Sequence, residues 1–334
     1  MRKLLLGTTA LAAAASLTTN AALAEVSISG AYEWSYNSRG STIAALDGTS
    51  FGNDSEIKFT FTNKTDSGLT ITAVTELEAD GDASSDTAGT TGGSSTDEHS
   101  ISIAGGFGTL KLGRDDSVGD NFGIEVEDLI AEESTPTSNS SGATTSVLTD
   151  TDIRAASGDD NKVSYYTPAM GGFSAGMSHT TTTAGTSDSK EYGAQFTTEA
   201  SGTTVTIGAA SGSTKAATRD IDATNVGLKI VSGNISAIIA NATYKANDED
   251  QEANGVSVSY NMGNGMVVGA YTMDSDDALD TTESYSKQGV EVQYTIASGL
   301  TAVITVDDYE YKAGDTGYTA DNGTNSKLTI KASF

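Results

Sequence analysis

The sequence predicts an all-β protein, a transmembrane antiparallel β-barrel of sixteen strands. Three observations carry this. Apolar residues recur at every second position in many segments along the chain, with gaps, and helical periodicity is almost absent. Tight turns alternate with long acidic connections, the asymmetry of a barrel with short turns on one rim and long loops on the other. The chain ends on "NSKLTIKASF", in which Leu328, Ile330, Ala332 and Phe334 share one parity and Lys327, Thr329, Lys331 and Ser333 the other. That is a strand with one apolar and one polar face, and a barrel pairs it with the first strand so that no edge stays open.

The elements follow in order. Arg2 and Lys3, the apolar stretch 4–17 and the small-x-small site Ala22-Leu23-Ala24 read as a secretory signal peptide over residues 1–24. The barrel is then expected over 25–334. Strands are placed at 25–36, 55–63, 68–79, 98–105, 107–114, 161–167, 172–181 and 189–198. Eight more follow at 202–210, 222–231, 234–245, 253–262, 265–274, 284–296, 299–311 and 325–334. Val26, Ile28, Tyr32 and Trp34 share a face, as do Ile57, Phe59 and Phe61. Val256, Val258 and Tyr260 repeat the pattern, and so do Val290, Val292, Tyr294 and Ile296. "KTDS", "GG", "PAMGG", "EASG", "SGN", "GNG" and "ASG" are turn chemistry. "ADGDASSDTAGTTGGSST" and "DSDDALDTTES" are long loops. An even strand count puts both ends on the short-turn, periplasmic side. Tyr36, Tyr166, Tyr311 and Phe334 sit at strand ends, where aromatic rings belong at a membrane interface. Segment 234–242, "NISAIIANA", alternates poorly, which suggests a protein-facing wall or a different register.

Composition narrows the function. The formal net charge is −27 and the chain has no cysteine. Nucleic acid is excluded as a partner, because phosphates would be repelled. Disulfides play no part. The charge suits a protein that handles cations. No segment past the leader approaches the twenty apolar residues that a membrane helix needs.

Several stretches resemble the Gram-negative general porin family. "GGFGTLKLGRDDS" (105–117) is similar to the passage in which a Gly-Arg pair precedes the family's long third loop. "NKVSYYTPAMGGFSAGMS" (161–178) is similar to the strand after that loop, "SGLTITAVTELE" (67–78) to the third strand, "EVSISGAYE" (25–33) to the first and "LTIKASF" to the last. The resemblance implies a homotrimer of sixteen-stranded barrels in the outer membrane of a Gram-negative bacterium, surrounded by outer-membrane lipids. It also implies a third loop folded into the lumen, passive diffusion of small ions and polar solutes, and no enzyme activity or cofactor. Two departures thin the family's basic wall. In "DSEIKFTF", Glu56 stands at the arginine's place and Lys58 at the glycine's, and Ser164 stands where a basic residue is common.

On this pattern the constriction loop runs over 115–160. Asp115, Asp116, Asp120, Glu125, Glu127, Asp128, Glu132 and Glu133 are its candidate lining, since carboxylates in a narrow aqueous path attract counter-ions. Glu56, Lys58, Lys111, Arg114, Arg154 and Lys162 are the candidate wall facing them. Strict alternation sets Arg114 on the face of Leu110 and Leu112, and a bulge at Gly113 is needed to turn it inward. Phe334 is the candidate assembly terminus. His99 and His179 have no partner in a catalytic arrangement; Glu98, the neighbour of His99, points to the opposite side of a strand. No catalytic or metal site is assigned. The acidic runs "NDEDQE" (247–252) and "DSDD" (274–277) are candidates for weak Ca²⁺ binding, without the spacing of a calcium loop. The expected function is a cation-preferring diffusion channel. A substrate-selective channel is the alternative within the architecture, and would show aromatic tracks in the lumen, of which the sequence offers few. A secreted acidic surface-layer protein or adhesin is the alternative outside it, and would show a fixed repeat, which is absent.

Overall fold

The computed structural model describes residues 25–44, 46–78, 95–131, 148–153, 160–181, 187–216, 220–246, 249–312 and 319–334. The proposed leader 1–24 lies outside the described residues, as do Glu132, Glu133 and Arg154. Sixteen strands are present: β1 Glu25–Arg39, β2 Gly48–Lys64, β3 Thr70–Glu78, β4 Ser95–Gly105, β5 Gly108–Arg114, β6 Asn161–Tyr166, β7 Phe173–Thr181 and β8 Ser187–Ala200. They continue as β9 Thr203–Ala216, β10 Asp220–Ser232, β11 Ile235–Ala246, β12 Glu249–Gly263, β13 Met266–Asp277, β14 Ser284–Ala297, β15 Leu300–Lys312 and β16 Asp321–Ser333. Each pairs antiparallel with its sequence neighbours, and β16 pairs with β1 to close the barrel. The β5–β6 connection holds a short helix, α1 (Val118–Phe122), and a 3-10 turn (Val126–Leu129).

Local chemistry explains the short rim. Ser201-Gly202 and Asn264-Gly265 both adopt positive φ (53° and 76°; 50° and 83°). Two consecutive left-handed residues match the twist of the flanking strands, and Gly or Asn takes that conformation at least cost. At the opposite rim several strands run further than alternation predicts. β2 begins at Gly48 rather than 55, and β16 at Asp321 rather than 325. There the ladder continues through polar residues, as in Arg39 opposite Gly48 on one side and Asn325 on the other. Paired backbone groups hold such ends together without an apolar face to reveal them in the sequence.

Parity sorts the side chains. Val26, Ile28, Tyr32 and Trp34 on β1, Val256, Val258 and Tyr260 on β12, and Val290, Val292, Tyr294 and Ile296 on β14 are all exposed. They face outward, while the opposite parity turns to the interior. Segment 234–242 is resolved by the same rule. Ile239 is exposed, whereas Ile238, Ala240 and Ala242 face inward and are buried. The inner side is apolar there because Ile124, Val126 and Ile130 of the β5–β6 connection cover Ile238 and Ala240.

The chain end has a defined seat. The Phe334 N–H donates to the Gly30 carbonyl (3.1 Å), and the Gly30 N–H donates to the Phe334 carbonyl (2.8 Å). The ring lies over Gly30, where a Cβ would stand 2.8 Å from Cε2, and is otherwise exposed.

Candidate functional site

The site is built by the β5–β6 connection and the polar face it packs on. At its start, Asp115 is buried; its Oδ1 accepts from Lys111 Nζ (2.7 Å) and its Oδ2 from Ser100 Oγ (2.7 Å). Lys162 is also buried and its Nζ donates to the Asp115 carbonyl. Lys111 and Lys162 thus clamp the base of the loop. Ser117 caps α1 with a reciprocal capping box to Asp120. Glu125 and Asp128 form a second such box around the 3-10 turn.

Inner side chains of distant strands then bond the segment's backbone. Glu191 Oε2 on β8 accepts from the Gly119 N–H (3.0 Å), and Asn225 Oδ1 on β10 from the Ile124 N–H (3.0 Å). Asn225 Nδ2 donates to the carbonyls of Ile124 and Thr151, joining the outgoing and returning legs. Glu291 Oε1 on β14 accepts from the Ala131 N–H (2.9 Å), and Lys331 Nζ on β16 donates to the Ala131 carbonyl (3.2 Å). On the returning leg, Ser275 Oγ of β13 donates to the Leu148 carbonyl. Alternation marks these wall residues as inward, but nothing in the sequence shows which backbone group each one meets.

This placement separates the candidate carboxylates. Asp115, Glu125 and Glu127 are buried and held by protein donors; Glu127 Oε2 accepts from Thr151 Oγ1 (3.2 Å). Asp120 and Asp128 are exposed, and Asp116 is half-buried. The Asp120 carboxyl is pushed above the usual carboxylate range. Although the residue keeps a solvent-facing surface, protein packed around the carboxyl is the main cause, the negative charge of Asp152 adds to it, and bonds from Ser117 oppose it.

The wall divides likewise. Lys58 Nζ lies 2.5 Å from Glu76 Oε2 and 2.9 Å from Glu98 Oε2, so its charge is matched by two buried carboxylates. Asp54, Glu56 and Glu78 bring carboxylate oxygens within 4.8 Å of one another, as do Glu56, Glu76 and Asp97, and Glu98, Asp115 and Asp116. Inner residues of β8–β14 are largely buried, while Glu33, Asp54, Glu56, Lys58 and Glu78 on β1–β3 keep partial exposure. Arg114 stays on the parity of Leu112. It sits opposite the exposed His99 with no register shift at Gly113, and its Nη1 donates to the Thr96 carbonyl (2.7 Å). The bulge that would turn it inward is absent, because Gly113 takes φ 126° without adding a residue to the ladder.

The aromatic expectation changes too. Tyr244, Tyr271, Tyr285, Tyr309 and Tyr311 all lie on inner parity, and all are buried. Four of them pack around Leu148 and Ile153 of the returning leg. The Tyr309 hydroxyl donates to Asp321 Oδ2 (2.6 Å) and the Tyr311 hydroxyl to Glu283 Oε1 (2.7 Å). They are packing for the loop, not a track open to solute. Of the two acidic runs, residues 249–252 and 274–277 prove to be strand ends of β12 and β13. Lys245 Nζ bonds Asp250 Oδ2 (2.9 Å), and Asp277 Oδ1 accepts from the N–H groups of Asp250 and Leu279.

A closed barrel with an apolar outside, a charged inside and a segment packed across its inner wall is the architecture of a membrane channel. The chain belongs to the Gram-negative porin family, whose profile matches residues 7–314, and its place is the outer membrane. Solved structures share the fold. An anion-selective porin from Comamonas acidovorans is 18% identical, with a TM-score of 0.65 over 93% of this chain and 100% of its own. OmpF of Salmonella typhi, in complex with daunomycin, is 13% identical, with a TM-score of 0.64 over 93% and 98%. OmpT of Vibrio cholerae in a trimer form is 13% identical, with a TM-score of 0.62 over 93% and 99%. No curated protein matches in sequence.

Proposed function

We propose that the protein is a passive, cation-preferring channel for small hydrophilic solutes and ions, that it works as a homotrimer among outer-membrane lipids, and that it catalyses no reaction. Segment 115–131 narrows the aqueous path from one side, and the inner arc of β1–β4 bounds it on the other. The observation that carries the cation preference is the carboxylate group Asp54, Glu56 and Glu78, on the arc that keeps partial exposure, beside a lysine already matched by Glu76 and Glu98. Asp120 and Asp128 add negative charge from the loop side. Charges on low-dielectric walls act on passing ions more strongly than charges on an open surface. The trimer form recorded for the Vibrio cholerae OmpT supports self-association through the outer wall. The buried, hydrogen-bonded tyrosines favour passive diffusion over a substrate-specific track. The leader 1–24 fits export through the inner membrane, and any Ca²⁺ bound at the acidic rim is weak.

The test is a single-channel recording in asymmetric KCl. A reversal potential of the sign set by K⁺ permeation supports the reading. A potential at zero or of the Cl⁻ sign rejects the cation preference.

A further inference from the structure

We propose that the inner wall contains a built seat for the loop: a row of side-chain-free positions that sets how far segment 122–130 stands off the wall, and with it the width of the path. The inference rests on the reading that this segment narrows the path. The row is Gly176 on β7, Gly193 on β8, Gly208 on β9, Gly227 on β10, Gly255 on β12 and Gly269 on β13, all on inner parity. Gly176 lies opposite Gly193, and Gly208 opposite Gly227. Ala240 on β11 carries the row from Gly227 to Gly255. The six glycines form a stepped shelf around the barrel: Gly193 stands opposite Ala210, two residues from Gly208, and Gly255 opposite Met273, four residues from Gly269.

None of the six adopts a left-handed φ, so no turn or bulge explains them. A glycine inside a strand weakens it and often marks the close approach of another backbone. Here the approaching chain is visible. A Cβ on Gly193 would stand 2.7 Å from Phe122 Cβ, and one on Gly176 2.7 Å from Phe122 Cε2. On Gly208 it would collide with the Phe122 carbonyl oxygen, and on Gly227 with that of Ile124. On Gly255 it would meet Val126 Cγ2 at 2.5 Å, and on Gly269 Ile130 Cδ1 at 3.1 Å. Phe122, Ile124 and Val126 alternate down the segment and are buried against the shelf. Where the obstacle is backbone, the segment cannot yield by turning a side chain. Ordinary carbon–carbon contact needs about 3.5–4.0 Å, so an added methyl displaces the segment by about 1 Å towards the opposite arc.

The experiment compares Gly208→Ala, Gly227→Ala and Gly255→Ala with Gly106→Ala as control, a glycine with no atom near its would-be Cβ. Folded oligomers are reconstituted in planar bilayers, and single-channel conductance and the size cut-off for neutral sugars are read. The three wall variants are expected to lose conductance and shift the cut-off downward while the control does neither. Val126→Ala is expected to restore Gly255→Ala, because it removes the methyl group in the way, and to leave Gly227→Ala unrestored. Folded wall variants with native conductance and cut-off overturn the proposal. If they do not fold, Phe122→Ala empties the shelf from the other side and is expected to raise open-channel current noise and the cut-off; no change in either overturns it. Deletion of 119–130 isolates the underlying reading. Unchanged conductance there rejects the loop as the narrowing, whereas a wider channel combined with inert glycine variants rejects the seat alone.

Discussion

Replacing Glu56 and Glu78 together by Gln tests the source of the cation preference. The change removes two charges at nearly constant volume from a group whose carboxylate oxygens lie within 4.8 Å of one another. A cation passing at about 8 Å gains about 0.5 kcal/mol from one carboxylate in water. The ionic atmosphere at 0.1 M has a Debye length of about 10 Å and roughly halves that gain. An anion is disfavoured by the same amount. Two lost carboxylates therefore change the difference between K⁺ and Cl⁻ by about 1 kcal/mol, about fivefold in permeability ratio. The assay is the reversal potential across a tenfold KCl gradient below 0.1 M, repeated near 1 M, where the Debye length of about 3 Å suppresses the effect. The potential is expected to move towards zero at low salt and to change little at high salt. A low-salt potential equal to that of the native channel would mean that ions do not pass along β2 and β3, and the reasoning from the wall would fail.

Other outcomes follow from the same contacts. Asp120→Asn and Asp128→Asn should each lower the K⁺ preference, whereas Glu127→Gln, whose carboxylate is buried against Thr151, should leave it nearly unchanged; reversal potentials decide between them. The raised pKa of Asp120 means that it takes up a proton above the pH at which an ordinary carboxylate does. Its proton binding favours the packed loop at low pH, and that contribution is lost as pH rises through its folded value. Cation preference should therefore begin to fall on acidification at a higher pH in the native channel than in Asp120→Asn, as read by reversal potential against pH. Lys58→Met leaves Glu76 and Glu98 buried without their ammonium group and should destabilise the barrel by about 3–5 kcal/mol, measured by urea unfolding. Deleting Phe334 removes two backbone bonds to Gly30 and an interfacial ring, and should lower the yield of heat-modifiable oligomer in membranes; normal yield would remove the terminus from the assembly argument.

The strands were legible because a period of two with one apolar face needs no tertiary information. The barrel's closure was legible in the parity of the last strand. What stayed hidden depends on contacts between distant segments. Ile238 spoils the alternation of β11 because Ile124, Val126 and Ile130 cover it from inside the barrel, and no local pattern reports that cover. The loop carboxylates read alike in the sequence, yet Glu125 caps a 3-10 turn, Asp115 holds two wall donors, and Asp120 faces water. Tyr244, Tyr285, Tyr309 and Tyr311 alternate correctly, but their burial depends on Leu148 and Ile153 of the returning leg, which no local pattern brings to them.

The sign of the channel's charge is separable from its fold. The Comamonas acidovorans porin is described as anion-selective and superposes over nearly the whole barrel, so the scaffold itself fixes neither preference. On the proposed reading the wall sets the preference locally. Lys58 stands on β2 between Glu76 of β3 and Glu98 of β4, and the pair of carboxylates outweighs it. Lys111 and Lys162 are basic and inward, yet both are engaged at Asp115, at the base of the loop. Lys331 is likewise held, by Glu33 at 3.0 Å and by the Ala131 carbonyl. Lys58, Lys111, Lys162 and Lys331 thus serve as structural counter-charges that hold the loop and neighbouring strands. Lys58 and Lys111 keep partial access to water beside their carboxylates, and Glu56, Glu78, Asp120 and Asp128 keep at least as much; the proposed cation preference rests on that acidic excess. On the proposed reading, selectivity follows from which sign predominates among the inward groups that keep access to the path.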